Sequence, residues 1–359
     1  MLEIFKKWYR RYLFEEESVL LLVLLTLSVI LLMTIGDILA PVLASIVLAY
    51  LAQGLSTQLQ KLGLPEWLGV AVSYLAFVGV FFGFCFALLP LVWRQTLSLF
   101  SEVPAMLDTV RHFLGVLPDR YPDIVSRAQL ADLITAAQNQ FAGMGQTLVK
   151  GSLSWIPGLL TVMVYLILIP LLVFFFLKDR RVILGWMSSF LPAERPLLRR
   201  IWSEMNQQFA NYARGKVLEI LIIGSVSYFS FVWLGLDYAA LLALLVGLSV
   251  IVPYIGATLV TLPVVLVAFF QWGFTSEFYT LVAVYMGIQI LDGNVLVPYL
   301  FSEAVNLHPA AIIMAVLFFG GVWGVWGVFF AIPLATLIKA IISAWPSAEL
   351  ISTPASEQT

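Results

Sequence analysis

The chain has 359 residues, 61% of them hydrophobic and 11% charged, with a formal net charge of −2. A soluble domain usually carries about 25% charged residues, so this composition excludes an ordinary soluble domain, and the near-neutral balance offers no basic field for nucleic acid. Cys85 is the single cysteine, which excludes an internal disulfide and any cysteine-based zinc or redox motif.

Several apolar runs reach the roughly 20 residues needed to cross a bilayer. The expected fold class is therefore an all-α polytopic integral membrane protein with about six to eight membrane-spanning helices, plus a small helical segment outside the membrane. Residues 1–17 form a charged, aromatic lead. Glu15, Glu16 and Glu17 stand directly before a long apolar run with no small-residue cleavage site after it, so that run is expected to remain as span one, Ser18 to Ile35. A second run, Ile38 to Leu55, follows Gly36-Asp37, and a third covers Trp67 to Trp93.

Arg94 to Lys150 carries balanced charges. Met106, Val110, Phe113, Leu114 and Leu117 follow one helical face, as do Leu130, Leu133, Ile134, Ala137, Phe141 and Met144. The segment is either a helical cap on the membrane domain or an oligomerisation arm. Span four occupies 151–177. The loop after it, 178–216, is rich in Lys and Arg, which predicts a cytoplasmic location; counting spans back and forward then places both termini in the cytoplasm. Within that loop, Ile201, Met205, Phe209 and Tyr212 share a face, so Arg199 to Lys216 is expected to lie in the membrane interface, ahead of a separate span five from Val217 to Leu236.

Residues 217–346 read as a C-terminal transport unit. Two long apolar stretches, Tyr238–Trp272 and Pro309–Ser343, are broken near their middles, one at Pro253-Tyr254-Ile255-Gly256 and the other around Gly320-Gly321 and Trp323–Gly327. Each leg would be about 15 residues, or about 22 Å, short of the ~30 Å hydrocarbon core. Re-entrant hairpins and pairs of tilted short helices both fit. Such interrupted segments are the sequence pointer to a transporter site. Between them runs a span holding Gln289, Asp292 and Asn294. The tail from 347 to 359 is polar.

Ionisable groups inside a membrane segment are costly and mark functional candidates. Asp292 leads them: a carboxylate between apolar runs holds a proton or a monovalent cation, since removal from water favours the neutral form and an adjacent cation the charged one. The bland alternative is a carboxylate accepting bonds from freed backbone N–H groups. Asn294 and Gln289 are either neutral ligands beside it or inter-helix hydrogen-bonding groups. Pro253, Tyr254 and Gly256 make a turn whose carbonyls are either free to coordinate or purely structural. Glu303 and His308 lie in a short polar link, where His308 serves as a proton relay or orders the loop before Pro309. Glu219, with Arg214 and Lys216 just before it, is most simply half of a surface ion pair with Lys216, and alternatively part of a gate. Gly320, Gly321, Gly324 and Gly327 are expected to be packing or hinge positions.

The enzyme classes find no support. The two histidines, His112 and His308, do not supply HExxH; no GxSxG elbow or Walker motif is present; and Asp292 has no clear second partner to form an aspartyl protease pair. No cofactor is expected, and a non-transporting membrane scaffold is the remaining rival class.

Four stretches taken together, RGKVLE (Arg214–Glu219), VIVPYIGA (Val250–Ala257), LDGNVLVPYLFSEAVNLHP (Leu291–Pro309) and FFAIPLATLIKA (Phe329–Ala340), resemble the autoinducer-2 exporter family, most closely its PerM-type permeases. The resemblance implies a multi-span inner-membrane permease with a long loop after the third span and homo-oligomeric assembly, as pentamers in at least one case. It further implies export of a small organic solute or Na⁺/H⁺-type antiport. The expected partners are thus a small solute or monovalent cation or proton, the lipid bilayer and further copies of the chain.

Overall fold

A bilayer core offers no water to satisfy backbone N–H and C=O groups, so a spanning chain closes its own hydrogen bonds as helix or barrel. Among the described residues every regular element is a helix. The structure, a computed structural model, describes residues 16–114, 132, 135–136, 156–192, 194–253, 255–301 and 307–344. Eight helical segments in it are long and apolar enough to cross a membrane. Most of the expected second extramembrane helix, the polar tail, Tyr254 and Glu303 lie outside the described residues.

Helix α1 (Glu16–Lys61) contains two candidate spans, Val19–Gly36 and Ile38–Lys61, with one non-helical residue, Ile35, near the end of the first. Helix α2 (Glu66–Gly83) continues through a π turn (Phe84–Leu88) into α3 (Leu89–Leu114). The face from Met106 to Leu114 is helical, as its periodicity predicts. Then come α4 (Ile156–Lys178), α5 (Arg180–Ser189) and α6 (Pro196–Leu234). The interfacial helix and span five of the sequence reading are one helix of 39 residues. At 1.5 Å per residue it is about 58 Å long, nearly twice a hydrocarbon core. The lone Gly215 at the expected boundary costs a helix only about 1 kcal/mol and does not break it.

The first interrupted stretch is α7 (Ala239–Ser249) and α8 (Ile255–Trp272). Its legs are uneven, 11 and 18 residues, because the turn falls early. Next are α9 (Ser276–Leu291), a second π turn (Asp292–Leu296) and α10 (Val297–Phe301). Helix α11 (Pro309–Ala344) is two legs meeting at Trp323 and Gly324, the latter at φ +60°. A Cβ on Gly327 would lie 1.8 Å from the Phe319 carbonyl oxygen, and one on Gly320 would lie 2.8 Å from Val328. The legs therefore fold against each other, and only glycine admits that approach.

The chain forms two compact units. The first takes the described parts of Met1–Val70, Leu171–Gly215 and Phe301–Thr359; the second takes those of Ala71–Pro170 and Lys216–Leu300. In the first, Phe330 is buried with Val47 and Ala213, stacked on Phe209 and Trp323, while the Tyr212 hydroxyl donates to the Phe329 carbonyl at 3.0 Å. In the second, α7 is apolar on every side and buried over most of its length, with Leu245 and Leu248 exposed. Its N-terminal amides need partners there, and Leu241 N–H finds one in Gln95 Oε1 of α3 at 2.8 Å. Gln271, at the end of α8, clasps the preceding turn by donating to the Gly235 carbonyl and accepting from Asp237 N–H. Around α7 close Phe231 and Ile223 from α6, Val264 from α8, and Leu281 and Tyr285 from α9.

Candidate functional site

The site forms because α6 and α7 nearly touch. A Cβ on Gly247 of α7 would meet the Ile220 carbonyl oxygen at 3.0 Å and the Gly224 Cα at 3.1 Å, so both backbones are bare at the crossing. Three residues beyond Gly247 the helix ends, leaving carbonyls without intrahelical donors. Lys216, two turns before Gly224 on α6, fills that need: its Nζ donates to the Val250 carbonyl at 2.9 Å and to Glu219 Oε2 at 2.6 Å. A cation at a helix C-terminus also meets the negative end of the helix dipole. The side chains of Lys216 and Glu219 are only 5% and 3% exposed.

This overturns the surface ion pair expected from sequence. Because α6 runs unbroken, positions 216 and 219 lie within the helix and under the end of α7, not at a boundary with water. The turn from Val250 to Pro253 holds the arrangement from the other side. Gly256 N–H donates to the Val252 carbonyl, and a Cβ on Gly256 would stand 1.8 Å from the Ser249 carbonyl oxygen. Gly256 is thus required by the close approach of α7 and α8. Pro253 sits in the turn itself, its carbonyl accepting from Ile255 N–H at 2.7 Å.

Asp292 opens the second π turn, where the extra residue shifts the helix face and the Asp292 carbonyl accepts from Val297 N–H, five residues on. Such turns inside α-helices recur at functional sites. Asp292 is 8% exposed and continues the buried face of α9 through Leu281, Tyr285 and Ile288. Its Oδ1 is fully buried and has no hydrogen-bond partner among the described residues. Lys216 and Glu219 are close enough for their charges to act on it. The second unit therefore brings together one ammonium and two carboxylates, with the ammonium directly bonded to one of them. One negative charge is left over when all three are ionised.

The other candidates separate from this cluster. Asn294 is exposed and its Nδ2 donates to the Ile290 carbonyl at 2.9 Å in its own helix; Gln289 is half-buried. Arg214 and His308 belong to the first unit. Arg214 is exposed and lies along Gly54. His308 is exposed and caps α11: its Nδ1 accepts from Ala310 N–H, and its carbonyl accepts from Ala311 and Ile312. Sequence reasoning treated Lys216 only as a neighbour of Glu219 and passed over Tyr285, which bonds Thr261 at 3.0 Å. Tyr285 lies two turns before Asp292, and that spacing on one helix face was the available signal.

The profile of the AI-2E family transporter matches residues 19–347. The chain belongs to this family. The chain is 47% identical over 350 residues to "Putative permease PerM" of Escherichia coli strain K12, covering 98% of this chain and 99% of PerM. It is 26% identical over 338 residues to "Putative transport protein YrrI" of Bacillus subtilis strain 168, covering 90% and 94% of the two chains. A second Bacillus subtilis relative, "Putative transport protein YueF", is 26% identical over 316 residues, with 85% and 84% covered. The chain is a multi-pass membrane protein of a transport family, and the resemblance read from its four motifs holds along nearly its whole length.

Proposed function

We propose that this member of the AI-2E transporter family is an ion-coupled secondary transporter whose coupling ion is held at Asp292. The observation that carries the reading is the surplus buried carboxylate beside an already paired Lys216–Glu219. A carboxylate removed from water is not left as a bare charge; it takes up a proton or a cation. Asp292 sits where the helix is widened by a π turn, so its protonation or cation binding can be read by the backbone around it. Lys216 is bonded to Glu219 and to the end of α7 and its charge acts on Asp292, so a change of charge at Asp292 alters what Lys216 and Glu219 balance. The coupled solute is a small molecule or a monovalent cation, Na⁺/H⁺ antiport being the simplest case. The reading assigns no catalytic step to the chain. Homo-oligomeric, specifically pentameric, assembly and an inner-membrane location with both termini in the cytoplasm complete the proposal.

The test uses inside-out vesicles containing wild type or Asp292→Asn at equal insertion, with lumenal pH followed by a fluorescent dye as Na⁺ is added. A Na⁺-dependent collapse of the pH gradient in wild type and its loss in the variant are the expected results. Equal responses from both proteins would remove Asp292 from the pathway, and silence from both would sink Na⁺/H⁺ exchange.

A further inference from the structure

A second feature lies in the first unit, independent of the charged cluster. A pocket of about 210 Å³ is walled by Ile46, Ala49, Phe176, Ile183, Leu184 and Met187, and Trp202 stands exposed at its mouth. Its polar lining is Tyr50, Gln53 and Arg180, the last being the first residue of α5, two positions after the end of the membrane span α4. The guanidinium lies over the Tyr50 ring, 5.8 Å from its centroid, and reaches Asn206 Oδ1 at 3.4 Å. That oxygen is already engaged by the Tyr50 hydroxyl at 2.6 Å, so Arg180 receives only a long share of it. Among the described residues no carboxylate pairs with Arg180, whereas Arg181 beside it bridges to Glu66 at 3.3 Å. A guanidinium has five N–H donors in a planar fork suited to phosphate, and most of these are unspent here.

The surroundings select the anion. Lys178 ends α4 and Arg180 and Arg181 begin α5, with Asp179 as the single acidic residue among them, a net positive collar where a span meets the headgroup layer. Helix α5 exposes Val182, Trp186 and Met187, with Phe190 exposed just past its end, as a helix lying along a membrane surface does. The cavity is smaller than the ~300 Å³ at which pockets for drug-sized ligands begin, and it opens beside those apolar residues. It therefore suits part of a flexible chain entering from the membrane better than a solute enclosed whole.

We infer that this pocket binds an anionic phospholipid, with a length of acyl chain along Ile46, Ala49, Ile183 and Leu184 and the phosphate on Arg180. The bound lipid would splint α1, α4, α5 and the start of α6 within the first unit.

The full-length protein, purified in detergent, is titrated with phosphatidylglycerol and with phosphatidylcholine, and bound lipid is counted by native mass spectrometry. Phosphatidylglycerol is expected to bind about fivefold more tightly or better. Arg180→Gln removes that preference, while Arg181→Gln, at an exposed residue already paired with Glu66, keeps most of it. Met187→Glu, an exposed substitution at the mouth, lowers phosphatidylglycerol occupancy by repulsion and decides the matter alone if Arg180→Gln does not fold. Equal binding of the two lipids, or a preference that survives both Arg180→Gln and Met187→Glu, overturns the inference. Saturable binding of glycerol phosphate, which has no acyl chain, would overturn it in favour of a free anion.

Discussion

Lys216 Nζ and Glu219 Oε2 lie 2.6 Å apart, one turn from each other on α6, in a pair almost closed to solvent. The same ammonium holds the Val250 carbonyl at the end of α7. The pair is thus a joint between two helices as well as a local charge balance.

Removing one partner from a buried pair leaves an uncompensated charge, at a cost of about 3–5 kcal/mol. Lys216→Met should destabilise the protein by about that much, since it strands Glu219 beside Asp292 and frees the Val250 carbonyl. Thermal unfolding of the purified protein checks this. Adding Glu219→Gln to Lys216→Met should recover part of the loss; strict additivity of the two single effects would deny that the residues act as a pair.

Asp292→Asn should behave oppositely. It removes a buried charge whose Oδ1 has no partner among the described residues, and an unsatisfied buried group costs about 1–3 kcal/mol or more. The variant should be as stable as wild type or more so, while ion-coupled transport is lost. A melting temperature lowered as far as in Lys216→Met would instead make Asp292 a structural anchor.

Gly256→Ala and Gly287→Ala should differ in sign. The first places a methyl 1.8 Å from the Ser249 carbonyl oxygen, where backbone must move. Overpacking of this kind costs about 1–3 kcal/mol or more, and displacing the α7–α8 turn should also weaken transport. The second meets nothing within 4 Å and replaces a helical glycine, so it should be neutral or stabilising by up to about 1 kcal/mol. Unfolding curves of the two variants compare them directly.

Tyr238, just before α7, carries a phenol held above its ordinary range by burial, reinforced by its hydrogen bond with Glu102 and by the Asp237 charge. The folded state therefore keeps this proton at a pH where the unfolded chain releases it. Stability contributed by Tyr238 is full below pH about 10 and declines above it, as the unfolded state comes to bind fewer protons than the native one. Tyr238→Phe should flatten that alkaline decline; an unchanged slope would show that the loss arises elsewhere.

The amino-acid order alone determined the class, an all-α membrane protein, because run length and hydrophobicity decide what a bilayer accepts. It also marked the breaks at Pro253–Gly256 and Gly320–Gly327 and singled out Asp292, since each is a local departure from an apolar helix. The α6 joint was hidden by a local cue: Gly215 and the basic residues around it read as an interface, while nothing nearby reveals that α7 will cover them. Only the tertiary structure buried Lys216 with Glu219, because that depends on the bare backbones of Gly224 and Gly247 meeting across two helices. It likewise set Arg180 into an apolar pocket with Tyr50 and Asn206, residues remote from it and from each other in the chain. Helix formation is written in neighbours three and four apart, whereas the worth of a charge depends on what else is brought to its side once water is excluded.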